Sequence, residues 1–167
     1  MTLYERVDPG SPAASTGPPP PPRPPIPTAS GVLRLQYSVV AVPIARRQIR
    51  HELENIGIGE SVLDDLEVVV SELLGNSVRH AKPIAGNVVL LTWRIAEAEI
   101  VVRVTDGGGG RGVEPRLAGP MADSGRGLQI IERLVRVWGV SEHAGGLRSV
   151  WAALSLTGPS RALRLIT

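Results

Sequence analysis

Apolar side chains along the chain follow two periods, a two-residue alternation and a 3.6-residue stripe, and the switch between them marks the elements. Leu33, Leu35 and Tyr37 alternate with Arg34, Gln36 and Ser38, which predicts a half-buried strand beginning near Val32. Ala45, Ile49, Leu53 and Ile56 then recur at helical spacing, with Pro43 in the first turn and Gly57 as the stop. The longest stripe comes next. Leu66, Val69, Val70, Leu73, Leu74 and Ser77 predict one amphipathic helix over 61–80, opened by Ser61 and Asp64 as a capping pair. Segments 87–95 and 99–105 are rich in Val, Leu and Ile, and only Ala96-Glu97-Ala98 separates them, so a hairpin is expected. Leu128, Ile131, Leu134, Val135 and Trp138 give a third helix ended by Gly139. A short strand over 140–143, a turn at Ala144-Gly145-Gly146 and a last strand carrying Val150, Ala152, Leu154 and Leu156 close the pattern. Strands follow strands, and helices are not interleaved one for one. This predicts an α+β two-layer sandwich, with a mixed, mostly antiparallel sheet and helices on one face.

Composition places the boundaries. Prolines crowd residues 18–27, and little there can build a core, so residues 1–30 read as a disordered proline-rich leader. The folded domain is expected over 31–158 and a frayed tail over 159–167. Apolar residues make up 43% of the chain, enough for a core. The net charge of +2 and the lack of any long basic run argue against direct nucleic-acid binding. There is no cysteine, hence no disulfide frame and no thiolate zinc site, and His51, His80 and His143 lack metal-ligand spacing. With no signal peptide and no long apolar run, a cytoplasmic protein without a membrane segment is expected.

Three stretches carry candidate chemistry. On the long helix Glu72 and Asn76 lie one turn apart, with Arg79 beyond, on a stripe separate from the buried one. A carboxylate and a carboxamide so placed can hold a hydrated divalent cation or orient a nucleophile. Asp106 ends a strand and precedes Gly107 to Gly110, where the main chain can approach a ligand closely. An acidic group there can accept a hydrogen bond from an amino group such as adenine N6. Gly125 and Gly127 open the third helix, whose free N–H groups suit phosphate. Competing nucleotide motifs fail on context. Gly107-x-Gly109-x-x-Gly112 does not open a helix, because Val113-Glu114-Pro115 follows. The only lysine, Lys82, is followed by proline, so there is no Walker A loop.

In this order and at these separations the stretches resemble the GHKL, or Bergerat-fold, ATP-binding superfamily of gyrase and histidine-kinase catalytic domains. Ser71-Glu72-Leu73-x-x-Asn76-x-x-x-His80 matches its N box, Asp106-x-Gly108-x-Gly110 its G1 box and Gly125-x-Gly127-Leu128 its G2 box. Trp138-Gly139-Val140 and Gly146-x-Arg148-Ser149-Val150-Trp151 are similar to the closing strands of bacterial anti-sigma-factor serine kinases and their actinobacterial relatives. The resemblance spans about residues 33–156. It implies ATP and Mg²⁺ as cofactors, with Asn76 as the metal ligand. Glu72 would orient or deprotonate the attacking hydroxyl, and Asp106 would hold adenine N6, with Gly108 and Gly110 shaping the pocket. Gly125, Arg126, Gly127 and Leu128 would close over the phosphates, and Ser149 would lie near the adenine end.

Relatives that control sporulation carry a basic residue just before the Ser-Gly of the G2 box. Asp123 stands there in this chain, and Arg126 is the nearest cation that can replace it as a catalytic residue beside Glu72. The function implied is an ATP-dependent serine/threonine kinase that phosphorylates a small anti-sigma-factor antagonist and regulates a sigma factor by binding it. A non-catalytic ATP-binding module that docks a partner protein is the alternative. The relatives pair as homodimers through the sheet side near the first strand, where Leu33, Leu35 and Tyr37 would supply apolar contacts.

Overall fold

The computed structural model describes residues 28–109 and 126–157. The chain runs β1 (Ala29–Gln36), α1 (Ala41–Glu54), α2 (Glu60–His80), β2 (Val88–Ala96), β3 (Glu99–Asp106), α3 (Arg126–Leu134), β4 (Val137–Glu142) and β5 (Arg148–Ser155). A single 3₁₀ turn, Ala144–Gly146, joins β4 to β5. The five strands form one sheet in the order β1-β2-β3-β5-β4. Every described pair is antiparallel, so the parallel component expected of a mixed sheet is not found among the described residues.

Parity along the strands decides which face is covered. Val89, Leu91, Trp93 and Ile95 of β2 and Ile100, Val102 and Val104 of β3 are buried beneath α1, α2 and α3, together with Leu154 of β5. The helices answer with Ala45, Ile49 and Leu53 of α1, then Leu63, Leu66, Val69, Val70, Leu73 and Leu74 of α2. The predicted stripes of α1 and α2 are the observed ones, except that α1 ends at Glu54 and leaves the partly buried Ile56 beyond it. The helix α2 lies across β3 and β5 and touches α3, which sets its last turn above the end of the sheet where Asp106 sits.

Four expectations change in detail. The first strand starts at Ala29 rather than near Val32, because Ala29 and Ser30 pair with Ile95 and Arg94. Gly59, not Ser61, is the N-cap of α2, and no side chain caps it. The free carbonyl of Gly59 accepts from the amides of Val62 and Leu63 at 3.1 and 3.2 Å. The third helix ends at Leu134 and not at Gly139. After one more turn, closed by Val135 N–H to Ile131 O, the amide of Arg136 bonds Ala153 O and the β-branched run joins the sheet as β4. Trp138 therefore lines a strand facing Ala152, and its place in the helical stripe is an accident of spacing. Lastly, Leu33, Leu35 and Tyr37 turn inward and pack on the core. On β1 it is Val32, 67% exposed, that offers an apolar side chain to solvent.

Candidate functional site

The site is assembled where the end of α2 meets the end of β3. Asp106 is the last residue of β3 and continues the inward series of Ile100, Val102 and Val104, so its carboxylate is driven into the interior and is only 1% exposed. One oxygen, Oδ1, accepts the amide N–H of Gly108 at 2.9 Å, which folds the chain back tightly beyond the strand. Two backbone bonds then staple this turn to the residue that follows the cap of α2. Gly107 N–H donates to Lys82 O, and Lys82 N–H donates to Gly108 O, both at 2.8 Å. The carboxylate of Asp106 and the polar stripe of α2 are thus parts of one rigid corner.

That corner requires glycine twice. A Cβ on Gly107 would stand 2.4 Å from Pro83 O. Gly108 has φ +73°, and a Cβ there would meet Gly146 O at 2.6 Å. Both contacts are with backbone, which cannot swing away as a side chain can.

Around Asp106 lies a small polar cluster. Tyr37 shares its hydroxyl hydrogen between Ser77 O at 2.8 Å and Ala81 O at 2.6 Å, and so satisfies two carbonyls in the last turn of α2. Burial pushes the Tyr37 phenol up from its usual value, the charge of Asp106 adds to this, and Arg148 opposes it. Arg148 begins β5 directly opposite Asp106, with Nη2 3.5 Å from Asp106 Oδ2. Three buried polar atoms in this cluster have no hydrogen-bond partner among the described residues: Asp106 Oδ2, Arg148 Nε and Ser77 Oγ. Buried polar groups are nearly always paired, so such a concentration needs a reason.

On α2 itself, Glu72 and Asn76 are half-buried and one turn apart, as the sequence predicts. The carboxamide oxygen of Asn76 has only a long 3.5 Å contact from Arg79 Nη2, whose Nε is held by Gly75 O at 3.0 Å. An uncharged oxygen of this kind, with a carboxylate one turn away, suits a hydrated magnesium ion that keeps most of its own waters. The donor set is right for that ion, and among the described residues no group of three His, Cys, Asp or Glu offers a rival metal site.

Of the remaining predicted residues, Gly110 and Gly125 lie outside the described residues. Arg126, Gly127 and Leu128 form the first turn of α3, as expected of a helix opening there. Ser149 is a correction. It pairs with Thr105, one residue before Asp106, and therefore faces the opposite side of the sheet. There its Oγ bonds Thr105 Oγ1 and His143 Nε2, each at 2.8 Å. The residue that shares a face with Asp106 is Arg148. A signal for this was present, since the inward series Val150, Ala152, Leu154 also includes position 148. Tyr37 and Ser77 were read as packing residues and gave no sign of their polar role.

Comparison with known proteins identifies the family and the fold. The family model of the histidine kinase-like ATPase domain matches residues 36–152. A search of curated protein sequences returned no match. Among solved structures, the chain is similar to the crystal structure of the RsbU and RsbW domains of Rv1364c from Mycobacterium tuberculosis. The TM-score is 0.59 at 23% identity, over 84% of this chain and 36% of that one. At that identity the likeness is one of fold, and this chain spans about a third of the longer protein's length. Among the described residues, no helix is long and apolar enough to cross a membrane. The family model covers residues 36–152, most of the chain: the protein belongs to the histidine kinase-like ATPase domain family.

Proposed function

We propose that this domain is an ATP-dependent protein serine/threonine kinase of the anti-sigma-factor type. The observation that carries the reading is the buried Oδ2 of Asp106 at the glycine corner, which has no hydrogen-bond partner among the described residues and which the N6 amino group of adenine would satisfy. Asn76 would hold Mg²⁺ against the phosphates, and the metal would supply charge neutralisation at the β- and γ-oxygens. Gly125 to Leu128 would wrap the phosphates at the start of α3. A serine or threonine hydroxyl of a small antagonist protein would attack the γ-phosphorus. Its proton would pass to the carboxylate of Glu72, the bond from the γ-phosphorus to the bridging oxygen would break, and ADP would leave. Arg126 would offset the charge that builds on the transferring group. Binding of a sigma factor would then follow the phosphorylation state of the antagonist. The chain would act as a homodimer joined near β1, an edge strand whose outer side carries the exposed Val32.

Incubation of the full chain with labelled ATP, Mg²⁺ and candidate antagonist proteins tests the reading. Transfer to a serine or threonine is expected, falling 10²- to 10⁴-fold in Glu72→Gln with nucleotide affinity unchanged, the usual range for losing a general base. Nucleotide binding without transfer to any candidate would instead support a module whose partner docking depends on ATP. The acidic Asp123 before the G2 box favours that second reading.

A further inference from the structure

Arg148 stands directly opposite Asp106 in the β3–β5 register, on the helix-covered face, with its side chain only 15% exposed. A carboxylate and a guanidinium that served only one another would close into parallel N–H···O bonds, the arrangement such pairs favour. These two stop at 3.5 Å, and Asp106 Oδ2 and Arg148 Nε each remain without a hydrogen-bond partner among the described residues. One atom is an acceptor and the other side chain is a donor. Arg148 Nη2 lies beside Asp106 Oδ2, next to the glycine corner. The Watson–Crick edge of adenine presents the complementary order, an amino donor at C6 next to a ring acceptor at N1.

We propose that Arg148 is a specificity-determining residue that reads adenine N1 while Asp106 takes the N6 amino hydrogen. The inference rests on the ATP-binding reading above and adds a second base contact to it.

Calorimetry with Mg²⁺ and either ADP or 1-deazaadenosine diphosphate, in which N1 is replaced by C–H, tests the assignment on the unaltered protein. ADP is expected to bind about tenfold more tightly, the usual worth of one hydrogen bond from a charged donor. Equal affinities for the two nucleotides overturn the role of Arg148 but leave ATP binding intact. Binding of neither overturns the nucleotide reading as well, so the two failures are distinguishable. In Arg148→Met the preference should vanish, and in Arg148→Lys part of it should return. A tenfold preference that survives in Arg148→Met places the N1 contact on another group and refutes the proposal.

Discussion

At the start of α2, Arg50 of α1 meets four carboxylates. Its Nε bonds Glu67 at 2.7 Å, Nη1 bonds Glu54 at 3.2 Å and Glu60 at 2.8 Å, and Nη2 bonds Asp64 at 2.5 Å. The bonds to Glu67, then Glu60 and Glu54, hold the guanidinium above its usual pKa. At the other end of the same helix, Asp106 Oδ2 and Arg148 Nε are buried without a hydrogen-bond partner among the described residues. The first cluster lies open to solvent, with Glu60 and Asp64 mostly exposed, so water completes whatever the arginine leaves. The second is closed to water and incomplete. A surface lock can be saturated because its only task is to hold α1 on α2. If this corner binds a nucleotide as proposed, it keeps hydrogen-bonding capacity for that ligand to fill and gives up stability in its absence.

The comparison is most directly broken at Asp106. In Asp106→Asn the atom facing a nucleotide amino group becomes a donor set against a donor, while Gly108 N–H can keep an oxygen acceptor. ADP affinity is expected to fall about 100-fold, as for a lost bond to a charged acceptor, with the circular dichroism spectrum unchanged. Unchanged affinity would mean that the open valence of Asp106 is a packing defect, and the contrast between the two clusters would collapse.

Arg50→Met removes the hub of the saturated cluster and leaves four acids facing one another. The expected result is a melting temperature lower by several degrees, with the deficit shrinking as salt is added. Nucleotide affinity should not move. Differential scanning fluorimetry across an ionic-strength series, with and without ADP, checks both halves. A fall in affinity equal to that of Asp106→Asn would show that the two ends of α2 are coupled.

Ser77→Ala sharpens the contrast from the other side. The hydroxyl is buried and unpartnered, while the Ser77 carbonyl that receives Tyr37 is backbone and survives the change. Alanine is also the better helix former. Stability should rise by about 1 kcal/mol in chemical denaturation, the lower end of the cost of a buried unpaired polar group. ADP affinity should stay the same. A loss of affinity would place Ser77 among the ligand contacts alongside Asp106.

Much of this arrangement was legible beforehand, because periodicity and glycine position are local properties. The stripes of α1 and α2 and the β2–β3 hairpin follow from spacing, and the nearness of Glu72 to Asn76 follows from helical geometry alone. The errors arose where long-range pairing decided the outcome. Position 138 fits a helical stripe, yet the bond from Arg136 N–H to Ala153 O carries the chain into the sheet before it is reached. Ser61 and Asp64 suit a cap, but Gly59 already occupies that position and Asp64 is drawn to Arg50. Ser149 was singled out through its motif. Strand parity puts Arg148, not Ser149, on the face of Asp106, and that parity could be read only after the register against Asp106 was known. The Arg50 cluster joins residues 17 positions apart at most, but nothing in the sequence tells how α1 and α2 are rotated against each other.

One acid beside the saturated lock lies outside it. Asp65 follows Asp64 on α2, is partly buried, and has no ion pair among the described residues. Burial raises its pKa above 3.8 and the charge of Asp64 adds to the rise. The fold therefore favours the protonated form. That favourable contribution is complete below pH 3.8, where both states hold the proton, and is lost as pH rises through the folded-state value. At neutral pH the ionised carboxylate is a net cost, and Asn, which never ionises, should remove it. Position 65 lies beyond the first turn of α2, so little favourable interaction with the helix dipole is given up. Asp65→Asn should then stabilise the protein at pH 7 by no more than about 0.5 kcal/mol, as expected of a change near the surface. The gain should shrink as pH falls towards 3.8. Denaturant titrations at pH 7 and pH 4 measure both values. A destabilised variant at pH 7 would show that Asp65 is held by a cation after all, and that the lock around Arg50 reaches one residue further than its hydrogen bonds.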